Sequence, residues 1–251
     1  MQRLVFAHGF TQTGRSWRTL SDALTTEVAA RGGERPHAIC VDLPGHGDAT
    51  AVVADLWQSA DRLVELGGRA TYVGYSMGGR TALHAALAHP DMVERLVLVG
   101  ATAGIDDAAA RADRRVSDDR LAELVARIGV EAFLERWLAN PLFEHLSSEA
   151  ADIDDRRRNT AAGLASSLRT VGTGTQEPLW DRLGEIRCPT LVLVGEHDAK
   201  FRALGDRLVD GIADASMAVI HGAGHSVHLE QPAATVDAIA GWLSESPSRS
   251  S

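Results

Sequence analysis

A serine hydroxyl becomes a useful nucleophile or base only when a histidine takes its proton. That histidine in turn needs a carboxylate to fix its tautomer and carry its positive charge. The sequence holds these residue types in the order Ser76, Asp198, His225. Ser76 sits in Gly74-Tyr75-Ser76-Met77-Gly78, a GxSxG string with a strand-like run before it and a helical pattern after it, the setting of a nucleophile elbow. Glycines suit its flanks because a serine on a tight strand-to-helix turn leaves no room for larger neighbours. Asp198 follows one apolar run, Pro189 to Gly195, and His225 follows another, Met217 to His221, so both would project from the same sheet edge as Ser76. Alternatives stay open at this point: Glu196 as the carboxylate, and His221 or His228 as the imidazole.

An acyl or enolate oxygen forming at Ser76 would need hydrogen-bond donors. His8-Gly9-Phe10 closes the first apolar run, in the loop that supplies one such donor, and the residue after the nucleophile supplies the other. The backbone N–H groups of Phe10 and Met77 are therefore the expected oxyanion donors, and His8 is expected to hold the loop. Arg80 falls in the first turn of the helix after Ser76, too near the interior for routine surface charge, with an ion pair to a core carboxylate as its competing role. The ten histidines form no short-spaced cluster with carboxylates, so no metal is expected. His8-Gly9-Phe10 lacks the further glycines of a dinucleotide fingerprint, so no nucleotide cofactor is expected either.

These groups can meet only if the chain builds a sheet with one carboxyl edge. Six short apolar runs recur, Leu4 to Ala7, Ala38 to Asp42, Ala70 to Gly74, Leu96 to Gly100, Pro189 to Gly195 and Met217 to His221. Each ends in a glycine-rich or polar turn and precedes a helical pattern, the signature of parallel βα units. Helices are expected at Trp17 to Arg31, Ala51 to Leu66, Gly79 to Ala88, Ala199 to Gly211 and Ala233 to Leu243. The fold class is α/β, a mostly parallel sheet of about six strands flanked by helices. From residue 105 to 180 no strand is convincing, and an inserted helical cap divides the core into 1–104 and 181–243, with a frayed tail at 244–251. Within the cap, Val130, Phe133, Leu134, Trp137 and Leu138 share a helical face that reads as cap core, and Pro141 stops that helix.

Composition narrows the function classes. With 251 residues and 45% hydrophobic content the chain can bury one sizeable core. Its formal charge of −9 argues against nucleic acid and anionic membrane faces as partners. Apolar runs of four to six residues cannot cross a bilayer, and no secretion signal opens the chain, so a cytoplasmic monomer is expected. Cys40 and Cys188 stand alone in strand-like contexts and read as small hydrophobes. Of the 25 basic residues only Lys200 is lysine, and arginine is the side chain suited to bidentate carboxylate recognition. The cap holds ten arginines and 14 acidic residues, so only a local cluster of its cations could attract an anion.

Taken together, His8-Gly9-Phe10, Asp42-Leu43-Pro44-Gly45-His46-Gly47, Gly74 to Arg80 and Gly222-Ala223-Gly224-His225 resemble the α/β-hydrolase superfamily across the whole chain. More narrowly, the Arg80 ending of the elbow, Trp137 to Phe143, Gly172 to Trp180 and Gly195 to Phe201 resemble the 2-succinyl-6-hydroxy-2,4-cyclohexadiene-1-carboxylate synthases, lyases of menaquinone biosynthesis. That resemblance implies elimination of pyruvate from an enolpyruvyl-bearing polycarboxylate, with Ser76, Asp198 and His225 as the triad. It also implies Tyr75, Arg80, Arg114, Trp137 and Arg158 as substrate contacts. The cap arginines lie in runs, so Arg114 and Arg158 could each be displaced by one position, and a role for Lys200 stays open. The chain departs from the superfamily by starting at the first parallel strand, which trims the sheet edge but touches no site residue. A serine hydrolase acting on esters or carbon–carbon bonds could use the same triad, and a ligand receptor could reuse the fold.

Overall fold

Along β1 (Arg3–Ala7), Leu4 and Phe6 enter one apolar layer while Val5 and Ala7 enter the other. Both faces of the strand are buried, which is why the strands read as continuous apolar runs rather than as alternation with polar residues. The same division recurs on β4, with Leu96 and Leu98 on one side and Val97 and Val99 on the other. The structure is a computed structural model that describes residues 2–245. β1, β2 (His37–Val41), β3 (Ala70–Tyr75), β4 (Val93–Val99), β5 (Thr190–Gly195) and β6 (Ala215–Ile220) form one parallel sheet in the order β2-β1-β3-β4-β5-β6. These are the six expected strands. The chain leaves β1 for β2 on one side and then returns to β3 on the other, so strand order reverses between β1 and β3. The crevice above their carboxyl ends is where open α/β sheets bind ligands.

Helices α1 (Arg18–Ala30), α2 (Leu56–Gly67), α3 (Met77–Ala88), α4 (Ala108–Leu138), α5 (Ile153–Arg156), α6 (Ala161–Val171), α7 (Ala199–Gly211), α8 (Val227–Glu230) and α9 (Pro232–Ser244) complete the elements. Leu20, Leu24 and Val28 of α1 pack with Val236, Ile239 and Ala240 of α9 over one sheet face. Leu56, Ala60 and Leu63 of α2, Ala82 and Leu83 of α3 and Leu208 of α7 cover the other. Each such leucine contributes about 2 kcal/mol by burial.

Two helix starts differ from the sequence reading by more than one residue. The helix expected from Ala51 begins at Leu56, because Asp55 accepts from Gln58 N at 2.8 Å while the Gln58 side chain accepts from Asp55 N at 3.1 Å. This capping box satisfies two otherwise orphaned donors and sets the first turn. The helix expected from Gly79 begins at Met77, directly behind Ser76. At the other end of the chain, Ser244 closes α9 instead of opening a tail, and the remainder of that expected tail, from residue 246, lies outside the described residues.

Between β4 and β5 the chain carries α4, α5 and α6 and no strand among the described residues. Gly129, at φ 77° and ψ 171°, breaks α4 in two. Ala122, Val125 and Phe133 of α4 then close on Leu164, Ala165 and Leu168 of α6, and Phe10 from the loop after β1 packs against that cluster. The helical stripe expected as core is therefore split: Phe133 and Leu134 are buried, whereas Trp137 is only half-buried. α4 ends at Leu138, and Pro141 opens a short 3-10 turn, Pro141–Phe143. Both cysteines are free, Cys188 buried and Cys40 half-buried. No helix among the described residues is long and apolar enough to cross a membrane.

Candidate active site

Ser76 joins β3 to α3 at φ 51° and ψ −107°, a region that costs a non-glycine residue of order 1–3 kcal/mol. Its surroundings hold it there. Ser76 N donates to Val99 O at 2.8 Å, and Arg80 N donates back to Ser76 O at 3.0 Å. A Cβ on Gly78 would lie 2.1 Å from Ala7 O, and one on Gly74 would lie 2.4 Å from Gly78 O, so the elbow tolerates only glycine at both flanks. Met77 is the first residue of α3, where N–H groups lack intrahelical acceptors and the helix dipole favours negative charge. Phe10 and Met77 both line the cavity that holds Ser76.

Asp198 caps α7, accepting from Phe201 N through Oδ1 at 3.1 Å. Its Oδ2 accepts from His225 Nδ1 at 2.8 Å, which leaves Nε2 as the imidazole's other functional edge. His225 is buried, with the Phe201 ring 4.4 Å away and the Gly100 backbone beneath it, and it lines the same cavity as Ser76. The competing residues have other partners. Glu196 pairs with His221 and accepts from Gly222 N at 2.9 Å, closing an exposed turn. His228 stacks on Trp17 at 4.3 Å and meets the Tyr75 ring at a tilt, 4.4 Å away, and burial pushes its pKa down to about 3.

Two neutral histidines fasten the loop that carries Phe10. His8 Nε2 accepts from Leu43 N at 3.0 Å while its Nδ1 donates to Gly9 O at 2.8 Å. His46 reciprocates from the neighbouring loop, accepting from Thr11 N at 3.4 Å and donating from Nδ1 to Pro44 O at 3.1 Å. Burial lowers the pKa of both, that of His46 to about 3, so each keeps the acceptor nitrogen these bonds require. His8 is thus a loop-holding residue, as its position in the sequence suggests.

The cavity above Ser76 has a volume of about 140 Å³, and a second of about 270 Å³ meets it at Ser76. Arg80, Arg114 and Lys200 line both chambers, and Arg156 lines the first. Arg80 makes no ion pair among the described residues; Gln176 Oε1 accepts from its Nη1 at 3.4 Å. Burial, and after it the Arg114 charge, lower the Arg80 pKa to about 10, so the side chain remains a cation at neutral pH. Phe10, Trp137 and Phe143 also line the first chamber as an aromatic wall, with Trp137 5.1 Å from Phe10 and 5.8 Å from Phe143. Trp137 Nε1 has no hydrogen-bond partner among the described residues. The Tyr75 ring also lines the cavity, but its hydroxyl is 2.7 Å from Ser226 Oγ, and burial raises its pKa.

Arg158 is the one expected contact that the structure puts elsewhere. It donates to Thr13 Oγ1 at 3.0 Å and Asp48 Oδ1 at 3.1 Å, on a groove beside β2. Two residues earlier, Arg156 is 2% exposed, donates from Nε to Ala151 O at 2.6 Å and from Nη1 to Thr11 Oγ1, and reaches the cavity. The selection is made by Asp152, which at φ 45° caps α5 and sets the phase of its single turn. The three-arginine run begins on the last residue of this four-residue helix and continues past its end, so it has no periodicity from which that phase could be read. Lys200, whose role the residues leave open, stands at the junction of the two chambers.

Comparison with known proteins bears on this arrangement. The chain matches the alpha/beta hydrolase family over residues 4–238. It is 35% identical over 247 residues to a Bacillus subtilis protein provisionally named 2-succinyl-6-hydroxy-2,4-cyclohexadiene-1-carboxylate synthase, covering 92% of this chain and 86% of that one. The Salmonella agona synthase of the same name is 33% identical, with 94% of this chain and 92% of that one covered. Among solved structures, MenH from S. aureus superposes with a TM-score of 0.87 at 31% identity, over 96% of this chain and 93% of its own.

Proposed function

The chain belongs to the alpha/beta hydrolase family and, within it, to the 2-succinyl-6-hydroxy-2,4-cyclohexadiene-1-carboxylate synthases; on that premise we propose that it is a lyase eliminating pyruvate from 2-succinyl-5-enolpyruvyl-6-hydroxy-3-cyclohexene-1-carboxylate. The observation that carries this reading is the set of four cations, Arg80, Arg114, Arg156 and Lys200, around the cavity of Ser76. A neutral ester would leave buried Arg80 without a counter-charge, which is costly, whereas a polycarboxylate supplies one to it and to its neighbours Arg114, Arg156 and Lys200.

In this mechanism His225 Nε2 takes the Ser76 proton, and the imidazolium is stabilised by Asp198 through the 2.8 Å bond at Nδ1. The serine oxygen removes an acidic ring proton from the substrate. The ring double bonds shift, the bond between the ring carbon and the enolpyruvyl oxygen breaks, and the departing enolate is reprotonated to pyruvate. The Phe10 and Met77 N–H groups stabilise the oxygen that gains charge when the ring proton leaves. No water is consumed, and the aromatic wall of Phe10, Trp137 and Phe143 helps exclude it. We assign substrate contact to Tyr75 through its ring, to Trp137 and to the four cations. The enzyme acts as a cytoplasmic monomer on a small soluble polycarboxylate.

The test is a pyruvate-release assay on the enolpyruvyl substrate with wild type, Ser76→Ala and Arg80→Ala. Wild type is expected to release one pyruvate per substrate, and both variants are expected to lose at least about 100-fold in kcat/KM while remaining folded. A wild type that releases no pyruvate but gives an acyl-enzyme burst with a short chromogenic ester would establish a serine hydrolase instead.

A further inference from the structure

Asp118 of α4 is 1% exposed, one turn beyond Arg114. Its Oδ1 accepts from Arg114 Nε at 2.8 Å, and its Oδ2 accepts from Gly174 N at 3.0 Å. A carboxylate buried this deeply is costly unless partnered. Its partners here are a cation of the cavity and the backbone of the loop over residues 172–176. That loop also carries Gln176, itself 1% exposed, whose Oε1 receives Arg80 Nη1 and whose Nε2 donates to Thr102 O at 3.5 Å. The loop has no slack: a Cβ on Gly172 would lie 2.6 Å from Asp118 Oδ2, and one on Gly174 would lie 2.2 Å from Arg115 N.

We propose that Asp118 is a positioning residue for polycarboxylate binding: it grips Arg114 by the Nε edge and the 172–176 loop by Gly174, so that one buried carboxylate orients both Arg114 and, through Gln176, Arg80. The guanidinium is a rigid planar fork, so fixing Nε fixes the plane of the two Nη groups. Neither Arg114 Nη has a hydrogen-bond partner among the described residues, and these are the donors left for a substrate carboxylate. Arg80 feels the Arg114 charge as repulsion and the Asp118 charge as attraction, so the carboxylate paired with Arg114 offsets the repulsion between the two cations before an anion arrives. Preorganisation of this kind lowers the ordering cost of binding without adding a contact.

The inference rests on the polycarboxylate reading above, and a binding experiment separates the two. The probe is a non-reacting aromatic keto-dicarboxylate titrated into wild type, Asp118→Asn, Arg114→Ala and the double variant, with KM and kcat for pyruvate release measured alongside. Asp118→Asn is expected to weaken probe binding and raise KM about 10- to 50-fold with kcat within about threefold, and the double variant to lose clearly less affinity than the product of the two single losses. Multiplicative losses in the double variant, or unchanged affinity in Asp118→Asn, would overturn the positioning role alone. Failure of wild type to bind any polycarboxylate would overturn the functional reading and this role with it. If Asp118→Asn does not fold, Arg114→Lys decides the matter. Lysine offers one point charge in place of a fork, so it should lose as much affinity as Arg114→Ala, and full retention would overturn the proposal.

Discussion

Asp198 divides its carboxylate between two residues, Oδ2 accepting from His225 Nδ1 at 2.8 Å and Oδ1 accepting from Phe201 N at the start of α7 at 3.1 Å. One side chain thus orients the imidazole and caps a helix, and the two roles separate by substitution. Asn keeps an oxygen for the cap but presents no charge to an imidazolium. Asp198→Asn is expected to lower kcat by about 10³- to 10⁴-fold with little change in thermal stability. Asp198→Ala should lose the same activity and in addition about 1 kcal/mol of stability from the missing cap. Thermal melts beside single-turnover pyruvate release distinguish the two variants, and equal melting temperatures would refute the capping role.

The strain at Ser76 makes an opposite pair of outcomes. At φ 51° a glycine is comfortable and a serine is not. Ser76→Gly is expected to stabilise the fold by about 1 kcal/mol, a rise of roughly 2–4 °C in Tm, after allowing for the greater freedom of glycine in the unfolded chain. Pyruvate release should fall by at least about 10³-fold in the same variant. A lower Tm would mean that the surrounding structure relieves the turn by some means other than tolerance of strain.

Acid sensitivity follows from histidines kept neutral by burial. His46 and His228 are held near pKa 3 against an ordinary 6.5, by burial first and then, for His228, by the charges of Arg156 and His225. Between pH 6.5 and 3 the unfolded chain binds protons that the folded chain refuses, so stability is complete above about pH 6.5 and declines as pH falls. Each group contributes a loss of about 2–3 kcal/mol between pH 6.5 and 4.5. Neither ring nitrogen of His228 has a hydrogen-bond partner among the described residues. His228→Phe keeps a ring stacked on Trp17 and in contact with Tyr75 while removing the titration. Its Tm relative to wild type should therefore increase steadily from pH 7 to pH 4.5, and a constant difference would show that His228 does not titrate in this way.

Much of this architecture is legible in the sequence because steric demands leave little choice. Gly74 and Gly78 flank Ser76 where any side chain would strike backbone, and the apolar runs of β1, β4 and β5 follow from burial on both faces. His225 and Asp198 are readable from their place after consecutive strands. The start of α2 is marked in the sequence by the Asp55/Gln58 capping box, a stronger signal than the apolar spacing from Ala51. What a sequence does not expose is the direction of side chains on short or broken elements. Gly129 interrupts α4 within a helical pattern, and beyond the break Trp137 lines the cavity while Phe133, one turn earlier, stays in the core. Asp118 reads as one acidic residue among many on an exposed helix until its contact with Gly174, 56 positions away, is seen.

Arg156 and Arg158 give the sharpest contrast between sequence and structure. The guanidinium of Arg156 is buried and reaches the cavity, and burial lowers its pKa, so removing it leaves a substrate carboxylate without its partner in a poorly solvated place. Arg156→Ala is expected to raise KM for the enolpyruvyl substrate by about 10- to 100-fold. Its bonds to Ala151 O and Thr11 Oγ1 tie α5 to the loop of Phe10, so some stability should be lost with it, and Arg156→Lys serves as the control that keeps the charge. Arg158, in contrast, meets Asp48, whose side chain is 91% exposed, and an ion pair of that kind contributes about 0–1 kcal/mol. Arg158→Ala should change KM by less than about threefold. Steady-state kinetics on the three variants decide the assignment: if Arg158→Ala rather than Arg156→Ala raised KM, the cation set above Ser76 would have to be redrawn around the groove beside β2.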